Sequence, residues 1–127
     1  MTTTRLIAIR GAIDVPADTP EEISVAVIEL VRQIMERNRL TPDMIVSAQF
    51  TVTPDVKTAF PAKAAREAGW TVVPMLCTLE IDVPGALKRC IRVMLHANVP
   101  ASQPAEHVYL RGAVALRPDL GKLSGEE

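Results

Sequence analysis

Aromatic side chains are scarce in this 127-residue sequence, whose four examples are Phe50, Phe60, Trp70 and Tyr109. Apolar residues still make up 48% of the chain, so the core must be built mainly from Val, Leu, Ile, Ala and Met. The length is typical of one domain with a substantial core and is too short for two. The composition therefore predicts a single domain with an aliphatic interior.

An excess of charge of one sign is also lacking, because 14 basic and 15 acidic side chains are spread along the chain and leave a formal charge of −1. A nucleic-acid-binding surface usually requires a basic excess that neutralises phosphates. No apolar stretch approaches the roughly 18 residues of a membrane-spanning helix, and the first residues lead into no signal-type segment. We therefore expect a soluble, cytoplasmic protein that binds neither nucleic acid nor membrane.

Cysteine and histidine are few and are poorly spaced for a metal site. Cys77 and Cys90 form no CxxC pair, and His96 and His107 lack ligand-type spacing with each other or with a cysteine. A structural disulfide is unusual in a reducing cytosol. The sequence also contains no GxGxxG, no GxSxG and no glycine-rich phosphate loop. We expect no metal, no cofactor and no disulfide.

Two helices are predicted from capping residues and apolar periodicity. The clearer one begins after Thr19, a typical N-cap, with Pro20 at its first position and Glu22 completing a capping box. Apolar residues then recur at the helical period, which gives one apolar stripe. A shorter helix is predicted over 62–68, because Gly69 is well suited to the position just after a helix.

Five extended runs accompany these helices, at 5–12, 46–53, 70–81, 89–97 and 108–117. In the second run, alternation predicts that Val46, Ala48 and Phe50 share the buried face. Pro74 indicates that the third run is an edge strand, a bend or a bulge, and the fifth is interrupted at 111–112.

The order of these elements predicts an α+β, or mixed α/β, domain with a mixed β-sheet and helices on one face. The other face of the sheet then needs a cover. In so short a chain that cover is commonly another subunit, so the pattern favours an oligomer.

Three arginines are the most informative anomaly. Arg10, Arg92 and Arg117 each lie in or at the end of an apolar strand, where a guanidinium is costly to bury unless it meets an anion. Each one alone is also explained by an edge position facing water, or by a salt bridge to Glu80 or Asp82. The three together favour a site that binds an anion.

The remaining polar residues do not form a recognisable acid-base or nucleophilic set. No histidine is placed by the sequence to activate Cys77, and Glu80 is a lone carboxylate at the end of the third run. With Tyr109, the set offers cations, one carboxylate, one thiol and one phenol. Such a set suits a reaction whose bonds reorganise within the substrate, where catalysis holds one conformer and counters developing charge.

Five short segments resemble those of the monofunctional chorismate mutases of the trimeric pseudo-α/β-barrel class. They follow one another in the family's order from about residue 7 to 119, and jointly they are highly specific. The segments are Ile9-Arg10-Gly11-Ala12, Phe60-Pro61-Ala62-Lys63-Ala64-Ala65-Arg66, Cys90-Ile91-Arg92-Val93-Met94, His107-Val108-Tyr109-Leu110 and Leu116-Arg117-Pro118-Asp119.

The resemblance implies an isomerase that converts chorismate to prephenate, in phenylalanine and tyrosine biosynthesis, by a pericyclic (Claisen) rearrangement. It implies no cofactor and neither covalent nor acid-base catalysis. It also implies a homotrimer with active sites between subunits, which supplies the missing cover for the sheet. The catalytic domain would span 1–119, leaving 120–127 as a flexible tail.

The resemblance also assigns roles to individual residues. Arg92 would contact the breaking ether oxygen, where negative charge develops, and Glu80 and Cys77 would bracket the ring hydroxyl. Arg10 and Tyr109 would bind a substrate carboxylate. The adjacent subunit would line the cleft and its entrance with Phe60, Ala62, Lys63 and Arg66, with Arg117 near the mouth.

Two departures from the family pattern concern the segment before Glu80. The link from Arg66 to Cys77 is one residue short, and Met75 and Leu76 are bulkier and more apolar than the family's polar or small pair. Both are still expected at the site. At position 76 a backbone contact would survive this change, whereas a side-chain contact would not.

The sequence alone is also compatible with two other functions. Small trimeric enamine/imine deaminases share the architecture and also hold a carboxylate with an arginine, but their characteristic motifs are not visible here. A non-catalytic trimer that senses aromatic-pathway carboxylates is the second alternative. The presence of both Glu80 and Arg92 argues against the sensor.

Overall fold

The computed structural model describes residues 3–117, which form one mixed five-stranded sheet with two α-helices packed on one face. The strands are β1 (Thr4–Asp14), β2 (Ile45–Val52), β3 (Met75–Leu79), β4 (Cys90–Pro100) and β5 (Val108–Tyr109), and the helices are α1 (Pro20–Arg37) and α2 (Pro61–Glu67). Short 3₁₀ helices cover Pro42–Met44 and Arg111–Leu116. The predicted mixed α/β domain is confirmed. The predicted tail at 120–127 lies outside the described residues.

The strand order is β3-β2-β4-β1-β5. The central strand β4 pairs antiparallel with both β1 and β2, and the edge strands β3 and β5 pair in parallel with β2 and β1. Neither helix in this part of the chain is long and apolar enough to cross a membrane.

Helix α1 begins at the predicted residue, but only half of the predicted capping box forms, because the Thr19 N–H donates to the Ala17 carbonyl at 3.0 Å and not to the Glu22 side chain. Thr19 is the N-cap, and its hydroxyl accepts a hydrogen bond from the Glu22 backbone N–H at 3.1 Å. Two acidic residues in the first turn complement the positive end of the helix dipole. The apolar stripe is fully buried against the sheet and consists of Ile23, Ala26, Val27, Leu30, Val31 and Ile34.

Strand β1 is longer than the predicted run 5–12 and continues to Asp14. At Gly11 helix α1 comes very close to the strand: a Cβ at this position would lie 2.8 Å from Ile34 Cδ1 and 3.2 Å from Leu30 Cδ1. Glycine therefore allows the helix to pack directly on the strand. The glycine predicted to follow the second helix is confirmed, because Gly69 comes after α2 with a φ of +114°.

The prediction that Val46 faces the core is wrong. A register shift between Ile45 and Ser47 adds one residue to β2, so Val46 turns outward and is 46% exposed. After this bulge the predicted alternation holds, with Ala48 and Phe50 buried.

Two predicted strands are shorter in the structure. The run at 70–81 contributes only β3, because the chain reaches the sheet at Pro74, whose carbonyl accepts the Ala48 N–H at 3.0 Å. The predicted edge position is confirmed. The run at 108–117 contributes only β5, because Arg111 has a φ of +55° and the chain then turns into a 3₁₀ helix.

The two faces of the sheet differ in what covers them. The helices cover one face, where the main core lies. We call the other side the open face; Arg10, Thr51 and Arg92 lie on it by strand alternation. Large apolar side chains also remain exposed there, namely Leu6, Leu76 and Met94. The open face is the surface for which the sequence predicts a cover by another subunit.

Candidate active site

Arg92 lies near the centre of the open face. It belongs to the central strand β4, and its register partners are Ala12 of β1 and Thr51 of β2. Arg92 Nε is buried and has no hydrogen-bond partner among residues 3–117. A buried donor without a partner costs about 1–3 kcal/mol. This cost is removed if a ligand atom accepts from it, so Arg92 is a candidate ligand-binding residue.

Glu80 is brought next to Arg92 by the end of β3. Its backbone N–H donates to the Val52 carbonyl at 2.8 Å, which extends the ladder between β2 and β3 by one bond. Its Oε1 atom accepts from Thr51 Oγ1 at 2.6 Å and lies 3.8 Å from Arg92 Nε. The salt bridge considered from the sequence therefore exists, but at a distance too long for a hydrogen bond.

Tyr109 reaches the open face from β5. It is aligned with Ala12 in the parallel pair between β1 and β5, so Ala12 has Arg92 on one side and Tyr109 on the other. Tyr109 is only 2% exposed, and its Oη atom also has no hydrogen-bond partner within the described chain. Ala12 itself is fully buried and packs with Tyr109, Cys90 and Ala113. The arginine and the phenol thus lie on either side of one buried alanine.

Arg10 belongs to the same face, two residues before Ala12. The ion pairs formed within residues 3–117 do not include its guanidinium. Its backbone N–H donates to His107 Nδ1 at 3.0 Å. Burial, followed by the positive charges of Arg10 and Arg117, lowers the pKa of His107. A neutral imidazole is therefore favoured, as the acceptor role of Nδ1 requires.

Tyr109 is fixed from both directions along the chain. Upstream, buried Asn38 at the end of α1 accepts from the Glu106 N–H at 2.8 Å and donates to the Glu106 carbonyl at 2.9 Å. Downstream, the Gly112 N–H donates to Asp14 Oδ1 at 2.9 Å. The two-residue strand β5 therefore does not depend on its own short ladder for its position.

Cys90 is a site neighbour that the sequence reasoning did not select. It lies two residues before Arg92 on β4 and packs with Tyr109, Ala12 and Ala113. Burial raises the pKa of the Cys90 thiol, with Arg92 opposing this effect. The thiol is therefore protonated at neutral pH and is unsuited to act as a nucleophile. Cys90 could have been predicted from the sequence, because it alternates onto the same strand face as Arg92. Thr51 could have been identified only from the pairing of β2 with β4, which aligns it with Arg92.

A second group of predicted residues lies at the β3 edge, on the other side of the sheet. Cys77 is aligned with Phe50 and packs against the main core, and it lines a groove of about 280 Å³ that also contains Phe60 and Pro61. Phe60 is 71% exposed although it is large and apolar. In one chain, Cys77 therefore opens to the side opposite Glu80. We call Phe60 and Cys77 the edge group, and Arg10, Glu80, Arg92 and Tyr109 the open-face group.

The other predicted residues are distributed around these two groups. Lys63 lines a neighbouring groove with Phe60, whereas Ala62 is buried within α2. Arg66 is exposed on α2 and lines neither groove. Met75 packs against the core, and Leu76, 67% exposed, borders a third groove on the open face. Arg117, at the end of the described chain, acts electrostatically on His107.

Known proteins resemble this chain over most of its length. The family model for chorismate mutase type I matches residues 6–120. Chorismate mutase AroH of Bacillus subtilis is 46% identical over 122 residues, which cover 94% of this chain and 95% of that protein. Chorismate mutase AroH of Thermus thermophilus is 48% identical over 114 residues, covering 88% and 93%.

Among solved structures, a chorismate mutase from Clostridium thermocellum matches with a TM-score of 0.82 and 46% identity, over 86% of this chain and 98% of that one. The family model, the sequence relatives and the solved structure agree, and the range matched by the family model contains both the open-face group and the edge group. The chain therefore belongs to the type I (AroH-type) chorismate mutase family, a family of isomerases.

Proposed function

We propose that this protein, as a chorismate mutase, rearranges chorismate to prephenate on its open face, in phenylalanine and tyrosine biosynthesis. The observation that carries the proposal is the buried Nε of Arg92, which lies 3.8 Å from Glu80 and has no hydrogen-bond partner in the described part of the chain. The named relatives, which are chorismate mutases, supply the substrate.

The reaction is intramolecular, so its atoms balance without a co-reactant. One carbon–oxygen ether bond breaks while one carbon–carbon bond forms in the same molecule, and the electrons move around a single ring of six atoms. No proton has to be transferred. Catalysis then consists of holding the compact conformer and stabilising charge in the transition state.

Arg92 supplies the main electrostatic contribution in this scheme. Negative charge develops on the ether oxygen as its bond to carbon breaks, and the guanidinium with its free Nε–H stabilises that charge. Glu80 accepts a hydrogen bond from the substrate's ring hydroxyl. Arg10 and Tyr109 bind a carboxylate. Both substrate carboxylates are anionic, in agreement with the two cationic side chains of this group.

We also propose that the site is completed by the edge group of a neighbouring chain in a homotrimer. Phe60 and Cys77 lie on the side of the sheet opposite Glu80 of their own chain, which supports a site in which they meet the open-face group of another copy. The exposed apolar side chains Leu6, Leu76 and Met94 give the open face a surface suited to packing. Lys63 and Arg66 would then lie at the entrance, and Ala62 would support Phe60.

The proposed location is the cytoplasm. Cys77 and Cys90 are both free in the structure, as is usual for a protein in a reducing compartment.

The first experiment adds the purified protein to chorismate without metal or cofactor. Loss of the diene absorbance is followed, and prephenate is identified by its acid conversion to phenylpyruvate. Conversion that is insensitive to EDTA and lost in Arg92→Ala supports the proposal. The matched control is Arg32→Ala, which removes an exposed arginine of α1. A folded oligomer that binds chorismate without converting it would instead favour the sensor.

A further inference from the structure

We propose that Thr51 is a positioning residue that keeps Glu80 from closing onto Arg92, so that the Arg92 Nε–H stays available to the substrate. This inference rests on the proposed function, because the substrate oxygen in question belongs to the rearranging ether. Thr51 is not expected to touch the reacting atoms.

The two oxygens of the Glu80 carboxylate differ in their contacts. Thr51 Oγ1 donates to Oε1 at 2.6 Å, a length typical of a strong hydrogen bond between a hydroxyl and a charged carboxylate. The same Oε1 lies 3.8 Å from Arg92 Nε. Within the described chain, Oε2 enters no hydrogen bond with protein. One carboxylate oxygen is thus held by Thr51 and the other is left for a ligand.

A direct arginine–carboxylate hydrogen bond has an N···O distance of about 2.7–2.9 Å. The pair here is about 1 Å longer, although the two charges attract and Nε has no hydrogen-bond partner among residues 3–117. If Glu80 closed this gap, it would occupy the Nε–H and neutralise part of the guanidinium charge. Both effects would weaken the stabilisation of the negative charge that develops on the ether oxygen.

Strand register explains why Thr51 is placed to prevent this closure. Thr51 is aligned with Arg92 on one side and with Thr78 on the other, so its hydroxyl lies between β4 and the strand that leads to Glu80. The Glu80 backbone is fixed separately by its hydrogen bond to Val52. The Thr51 hydroxyl therefore determines the direction of the Glu80 side chain and not the path of the chain.

Thr51→Val tests the proposal because valine has nearly the same shape and suits a strand. Losing a hydrogen bond to a charged group should lower kcat by about 10- to 100-fold, with a smaller effect on KM, and Thr51→Ser should restore most of kcat. In a Glu80→Gln background, Thr51→Val should have little further effect, since its target charge is gone. A crystal structure of Thr51→Val should show Arg92 and Glu80 at hydrogen-bond distance.

The matched control is Thr4→Val, an exposed threonine at the start of β1, which should leave both constants unchanged. If Thr51→Val does not fold, Thr51→Ala removes the same hydroxyl and takes its place. Wild-type kcat in the folded variant, or an additive loss in the Glu80→Gln background, overturns the proposal while leaving the proposed function standing. A wild-type protein that does not convert chorismate would refute both the proposed function and the role of Thr51.

Discussion

Replacing Arg92 by citrulline would separate the charge of this side chain from its shape. Citrulline keeps the planar group and the Nε–H donor but carries no charge. Two unit charges about 4 Å apart interact by about 4 kcal/mol at an effective dielectric constant of 20. The ether oxygen gains only part of a unit charge, and Glu80, 3.8 Å from Nε, offsets part of the field. We therefore expect kcat to fall about 10²–10³-fold, the usual loss for one preorganised donor.

The assay is the initial rate of chorismate loss at saturating substrate, with the citrulline protein prepared by semisynthesis. Arg92→Ala should lose at least as much activity, and Arg32→Ala should lose none. Thermal melting of each variant shows whether the fold has survived. Full activity of the citrulline protein would refute the claim that charge matters at position 92. Near-normal turnover of Arg92→Ala would refute its catalytic role altogether.

Three further predictions concern other parts of the site. The pKa of His107 lies below the usual 6.5. The neutral imidazole therefore contributes fully to the stability of the fold above about pH 6.5, and this contribution is lost as the pH falls through the lowered pKa of the folded protein. The Tm of the wild type should therefore fall as the pH is lowered. The Tm of His107→Asn, which keeps a hydrogen-bond acceptor, should fall less, and an equal dependence of Tm on pH in the two proteins would contradict this. Cys77→Ser should keep most of its activity if the thiol serves only as a hydrogen-bonding group, because a hydroxyl can take that role, and complete loss would reopen a nucleophilic role. Mixing and refolding Arg92→Ala with Phe60→Ala should give more activity than either alone; no recovery would count against sites shared between chains.

The parts of the fold that follow from local chemistry could be predicted from the sequence. The start of α1 depends on Thr19, Pro20 and Glu22, which lie within four consecutive positions, and the hydrogen bond from the Glu22 N–H to Thr19 does not need the rest of the protein. The outward turn of Val46 could not be predicted, because a bulge depends on how β2 pairs with β4. The late start of β3 likewise depends on where Pro74 meets β2.

In the candidate site, too, strand faces could be predicted from the sequence, whereas contacts that depend on strand pairing could not. Alternation along β1 and β4 predicts that Arg10 and Arg92 lie on strand faces, and the structure places them on the same face. The link between Thr51 and Glu80 joins residues that are 29 positions apart, and no sequence pattern fixes that register. The side to which Cys77 opens has the same origin, since it depends on the parallel pairing of β3 with β2.

The anchoring of β5 at both ends has a consequence for how stability and activity are related in this protein. Asn38 contributes at once to ending a helix and to holding the segment before Tyr109. Opening of the last turn of α1 would therefore release the phenol as well as the helix. The two hydrogen bonds between the Asn38 side chain and the Glu106 backbone therefore couple the stability of this helix end to the position of Tyr109.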